Sequence, residues 1–149
     1  MASLAVFIFY CETELMLSRT FVDYVDCRRS GVIEIEATSV PSRVAAGALL
    51  VDVREDREWS LGHAVGAVHV ARGVLERDIE QAVPNREQEL LLYCGGGLRS
   101  VLAVKTLQEL GYTNASSIKG GWAQLEVELR VPSLAREVTS GTLSSKEKL

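Results

Sequence analysis

Short runs that are apolar without interruption alternate along this chain with stretches that are apolar at helical spacing. Leu90 to Tyr93 (LLLY) is one such run, and Ala48 to Val53 (ALLVDV) is another, broken by a single acid. Both have the pattern of strands covered on two faces, as in a parallel sheet. Val32 to Ala37 (VIEIEA) instead alternates apolar and charged residues, which predicts a half-buried strand near a sheet edge. Ala67 to Val70, after the turn glycines Gly62 and Gly66, and Ala115 to Ile118 complete the predicted strands. Between them the pattern predicts a short helix from a Thr38 or Ser39 cap through Ala46, with Pro41 tolerated in its first turn. A second short helix, capped by Asp56, holds Trp59, and a third runs from Gly73 to Val83 until Pro84-Asn85 breaks it. The helix from Ser100 to Leu110 has apolar positions at Leu102, Ala103, Leu107 and Leu110 and stops at Gly111. A last helix, after Gly120-Gly121, carries Trp122 and Leu125, and the weakly amphipathic stretch Leu15 to Val25 is a further candidate. Alternating strands and helices predict an α/β domain with a mostly parallel sheet.

A length of 149 residues, 47% of them hydrophobic, supplies one core with covering helices and is too little for two full domains. Residues 1–31 stand apart as an N-terminal extension, 32–138 as the domain, and 139–149 as a Ser- and Lys-rich tail expected to be disordered. A net charge of −4 without a dense basic stripe argues against nucleic acid as a partner. The apolar run Leu4 to Tyr10 is too short to cross a bilayer, which takes about 20 helical residues. It has no positive residue before it and no small-residue cleavage site after it, so a secretory signal fits poorly. It reads as an extra strand, a helix on the domain, or the product of a start placed ahead of Met16. No membrane partner is expected, and the oligomeric state is expected to be a monomer or weak dimer. The three cysteines, Cys11, Cys27 and Cys94, have no CxxC spacing, and His63 and His69 are the only histidines. Neither a disulfide framework nor a metal site is expected, which suits a reducing, cytoplasmic location.

The chemistry concentrates at one junction. Cys94 directly follows LLLY and precedes three glycines, Leu98, Arg99, Ser100 and a helix. In an open parallel sheet the functional crevice lies at the carboxyl ends of strands. Gly95, Gly96 and Gly97 lack Cβ atoms, so backbone amides from Gly95 to Ser100 can turn toward one point, and Gly96 is expected to need positive φ or close backbone approach. With the positive end of the following helix they would cradle an anion, populating a Cys94 thiolate near neutral pH. Arg99 adds a fixed charge whose planar fork suits an oxyanion. Arg72, in a loop before Gly73, is a candidate for substrate contact. Asp52 is expected to bond backbone or an arginine, with a catalytic acid as the alternative. His63, Trp59 and Trp122 are read as packing residues, and Cys27 as an unpaired cysteine, with receipt of sulfur from Cys94 as the alternative.

These motifs resemble those of the rhodanese (sulfurtransferase) domains over roughly Glu34 to Leu129. Leu50 to Glu55 (LVDVRE), followed by Glu58-Trp59, is similar to the family's second-strand motif. Gly62 to Ala67 (GHAVGA) is similar to its GHIPGA turn, with Val65 in place of proline. Cys94 to Ser100 (CGGGLRS) matches its CxxGxRS loop, and Gly111-Tyr112 with Gly120-Gly121-Trp122 its later GY and GGW pattern. The resemblance implies a three-layer fold in which helices flank both faces of a five-stranded sheet. It implies that Cys94 takes a sulfane sulfur from a donor such as thiosulfate and passes it as a persulfide to cyanide, a cellular thiol or a sulfur-accepting protein. The loop Gly95, Gly96, Gly97, Leu98, Arg99 and Ser100 would bind the substrate, and no metal or organic cofactor is implied. An arsenate reductase or dual-specificity phosphatase is a rival, but those sites place five residues between Cys and Arg where this chain has four. The tighter loop fits sulfur better than a phosphate ester. A non-enzymatic persulfide-binding regulatory module is the second rival.

Overall fold

The computed structural model describes residues 19–130. Its strands are β1 (Ile33–Ile35), β2 (Leu49–Asp52), β3 (Val68–His69), β4 (Leu90–Tyr93) and β5 (Ala115–Ile118). They form one sheet in the order β1-β5-β4-β2-β3, and every pairing is parallel. β1 lies at an edge, as its alternating pattern predicts: Ile33 is exposed and Ile35 buried. The helices are α1 (Phe21–Asp26), α2 (Val40–Ala45), α3 (Asp56–Ser60), α4 (Leu75–Ala82), α5 (Arg99–Glu109) and α6, over residues 121–130.

The unbroken apolar runs have their cause in the two faces of the sheet. Successive residues of a strand point to opposite sides. Leu90 and Leu92 of β4 therefore enter one core with Leu75 and Ile79 of α4 and Val104 and Leu107 of α5. Leu91 and Tyr93 enter the other, with Val40 of α2, Ile118 and Leu125 of α6. All four residues of β4 are buried, and each fully buried leucine contributes about 1.5–3 kcal/mol.

Several boundaries differ from expectation for local reasons. The Ser39 hydroxyl donates to the Glu36 carbonyl at 2.8 Å and does not cap α2; a 3₁₀ turn, Ala37–Ser39, precedes that helix. The residue capping α3 is Glu55, not Asp56, and its amide donates to Glu58 Oε2 at 3.0 Å. The stretch Gly73–Val83 divides into a 3₁₀ turn, Arg72–Val74, and α4. Of the Leu15–Val25 candidate, residues 19–25 are described and hold a helix that begins at Phe21 behind a reciprocal Thr20–Asp23 cap; residues 15–18, the run Leu4 to Tyr10, Cys11 and the tail lie outside the described residues. Among the described residues no helix is long and apolar enough to cross a membrane, and no group of His, Cys, Asp and Glu is disposed to hold a metal.

Candidate active site at Cys94

β4 ends at Tyr93, so Cys94 leaves the carboxyl edge of the sheet and the chain reaches α5 by Arg99. Cys94 is 1% exposed, which screens its sulfur from bulk water. The Gly97 amide donates to Cys94 Sγ at 3.2 Å, and the Ser100 hydroxyl lies 3.6 Å from the same sulfur. The amides of Gly95, Gly96 and Leu98 have no backbone or side-chain acceptor among the described residues, so they remain available to an anion.

The geometry singles out Gly97, rather than Gly96, as the glycine the loop requires. Gly97 has φ +92°, and a Cβ there would sit 2.9 Å from the Gly120 nitrogen and 3.3 Å from the Ile118 carbonyl oxygen. Gly96 has no positive φ, and a Cβ added to it would meet nothing within 4 Å. The loop is held from below by α6: the Trp122 amide donates to the Cys94 carbonyl at 2.7 Å and that of Ala123 to the Gly95 carbonyl at 3.4 Å. This explains Gly121, at φ +55°, where any Cβ would strike the Cys94 carbonyl.

The fork of Arg99 is engaged by a carboxylate. Its fork makes two 2.8 Å bonds to the Glu58 carboxylate, so the pair lies beside Gly95, whose Cβ would be 3.1 Å from Arg99 Nη2. The arginine's hydrogen bonds hold Glu58 down at about 2 against an ordinary 4.5, and Glu58 in turn raises Arg99. Arg72 donates to Glu76 at 2.9 Å and Thr106 at 3.1 Å, and its buried Nε has no hydrogen-bond partner among the described residues.

Asp52 is fully buried and bonds both the amide and the guanidinium of Arg54, the latter at 2.7–3.0 Å. Arg54, 4% exposed, also donates to the Gly62 carbonyl and lies over the Tyr93 and Trp122 rings. That pair fixes the GHAVGA turn to the end of β2, and Asp52 serves as the partner of an arginine. Trp59 stacks on His63 at 3.4 Å and His69 at 4.6 Å, while His63 Nδ1 bonds the Trp59 carbonyl oxygen at 3.0 Å. These are packing roles. Cys27 and Cys94 are both thiols, and Arg19 donates to Cys27. A cleft of about 570 Å³ lined by Asp56, His69, Val74, Arg77 and Asp78 does not include Cys94.

The sequence carries no signal for the Glu58–Arg99 partnership or the burial of Arg54, and only a faint one for Ser117. The Ser117 hydroxyl lies 2.7 Å from that of Ser100, and both residues are fully buried. Its one visible signal is a pair of serines in a strand otherwise apolar.

The sequence profile of the rhodanese-like domain matches residues 36–128. The thiosulfate sulfurtransferase PspE of Escherichia coli is 30% identical over 47% of this chain and 67% of its own length. Other curated relatives are much longer: this chain spans 20% of the probable adenylyltransferase/sulfurtransferase MoeZ of Mycobacterium tuberculosis, to which it is 30% identical over 50% of its own length. Among solved structures, the human single-domain sulfurtransferase TSTD1 superposes with a TM-score of 0.56 at 27% identity, over 66% of this chain and 97% of that one. A Rhodopseudomonas palustris protein described as of unknown function and a possible tyrosine phosphatase superposes with a TM-score of 0.62 at 27% identity, over 74% and 91%.

Proposed function

The chain belongs to the rhodanese-like family, and from that footing we propose that it is a sulfurtransferase whose Cys94 carries sulfur as a persulfide. The observation that carries this is the Cys94 sulfur at a strand end, accepting the Gly97 amide at 3.2 Å where α5 begins. The Gly97 N–H and the first turn of α5 place hydrogen-bond donors beside this sulfur.

With thiosulfate as donor, the Cys94 thiolate attacks the outer sulfur. The sulfur–sulfur bond breaks, its electron pair leaves on sulfite, and Cys94 becomes a negatively charged persulfide. Cyanide or an acceptor thiolate then attacks the terminal sulfur, taking it and returning the Cys94 thiolate. The unpaired amides of Gly95, Gly96 and Leu98 supply donors for the charge on the transferred sulfur, at no cost in side-chain entropy. The Glu58–Arg99 pair leaves the mouth of the loop close to neutral, so a donor's charge is met mainly by backbone. A reducing, cytoplasmic setting keeps Cys94 available as a thiol, and the chain acts on small-molecule donors or on a sulfur-accepting protein.

The test sets thiosulfate:cyanide transfer beside hydrolysis of an aryl phosphate. Transfer by the native protein, lost in Cys94→Ser, is expected. Efficient phosphate-ester hydrolysis without sulfur transfer would overturn the proposal and favour the phosphatase reading.

A further inference from the structure

Ser117 sits in the middle of a strand whose four residues are all buried. A buried hydroxyl costs free energy unless it is bonded, and its partner is the Ser100 hydroxyl at 2.7 Å. Ser100 in turn lies 3.6 Å from Cys94 Sγ. Three buried groups from three elements, the end of β4, the first turn of α5 and the middle of β5, therefore form one chain: sulfur, hydroxyl, hydroxyl. We infer that Ser117 is a positioning residue for the Cys94 sulfur, acting through Ser100, an inference that rests on reading Cys94 as the nucleophile.

The chain can serve both protonation states because hydroxyl hydrogens rotate. When Cys94 is a thiol, its S–H donates to Ser100 Oγ. When Cys94 is a thiolate, the Ser100 hydroxyl turns to donate to sulfur, and Ser117 donates to the Ser100 oxygen so left facing it. Bonds to an ionised group are the stronger, and each polarises the next. Ser117 therefore supports the thiolate more than the thiol. The charged groups around the sulfur are Arg99 of α5 with its partner Glu58 of α3, and Glu55, which also acts on Arg99. The Asp52–Arg54 pair closes on itself at the end of β2. None of these bonds Ser117, so removing its hydroxyl leaves them in place.

The experiment follows the rate of iodoacetamide alkylation of Cys94 against pH, with the Cys94 peptide resolved by mass mapping so that Cys11 and Cys27 do not interfere. It needs no sulfur transfer, so the proposed reaction can fail while this inference stands. Ser117→Ala is expected to move the midpoint upward by about half a unit to one unit. Ser100→Ala should move it at least as far, and the double variant no further than Ser100→Ala alone. Ser116→Ala removes a neighbouring buried hydroxyl from the opposite face of β5 and should leave the midpoint unchanged. If Ser117→Ala does not fold, Ser117→Cys, a weaker donor of similar size, should still shift the midpoint upward. An unmoved midpoint in the folded Ser117 variant, an equal shift in the Ser100→Ala background, or an equal shift in Ser116→Ala would overturn the assignment.

Discussion

Replacing Gly97 by alanine tests whether the backbone of the loop, rather than its charge, holds the reacting sulfur. Gly97 has φ +92°, and its added methyl would meet backbone atoms at 2.9 and 3.3 Å, which have no flexible end to swing away. Forcing an alanine into that region costs about 1–3 kcal/mol. The loop relieves the strain by moving the Gly97 amide, and with it the 3.2 Å bond to Cys94 Sγ. A bond to an ionised acceptor is worth about 1.5–3 kcal/mol, so persulfide formation should slow by roughly ten- to hundredfold. Gly96→Ala adds a methyl with nothing within 4 Å at an ordinary φ, and its stability should stay within about 0.5 kcal/mol of native. The assay is a time course of intact mass after thiosulfate addition, paired with urea denaturation of each variant. A folded Gly97→Ala protein that gains sulfur at the native rate would refute the reasoning, as would a Gly96→Ala protein that is equally slow.

Three further outcomes follow from the charged pairs. Glu58 is held at about 2 against an ordinary 4.5, a depressed folded value, so its contribution to stability is complete above about 4.5 and is lost as the pH falls toward 2. The urea midpoints of native protein and Glu58→Gln should therefore converge through that window, and curves that run parallel would remove the pair from the account. Arg54→Met should cost about 3–5 kcal/mol by leaving Asp52 buried without its partner; adding Asp52→Asn should recover part of that loss, and a purely additive double variant would contradict the coupling. Arg99→Ala should leave persulfide formation measurable, because the arginine is engaged by Glu58, and abolition of the Cys94 persulfide in that variant alone would assign the charge to the side chain.

The parts of this site that could be read in the sequence were those set by neighbours along the chain. LLLY followed by Cys94 and glycines specifies a buried strand, a turn and a helix start from local chemistry, and Glu34 to Glu36 with Ile33 and Ile35 marks an edge. The parts that could not were set by contacts between distant segments. Arg99 meets Glu58 from 41 residues away, so a fork that looked free for an oxyanion is occupied. Which glycine needs positive φ depends on how near Gly120 and Ile118 approach Gly97; among three consecutive glycines only the fixed glycine of the CxxGxRS motif marks that position. Nothing in LVDVRE signals that Arg54 is buried, yet Asp52 and the Tyr93 and Trp122 rings enclose it. Thr38 and Ser39 are good capping residues by type, but the 3₁₀ turn before α2 turns the Ser39 hydroxyl back to Glu36.

Whether Cys94 carries the sulfur is decided by intact mass after thiosulfate treatment, with the modified residue located by peptide mapping. Native protein is expected to gain one sulfur atom on Cys94 and to lose it to cyanide, and Cys94→Ser to gain none while remaining folded. Gain of sulfur by Cys94→Ser, or its location on Cys11 or Cys27 in the native protein, would contradict that role for Cys94.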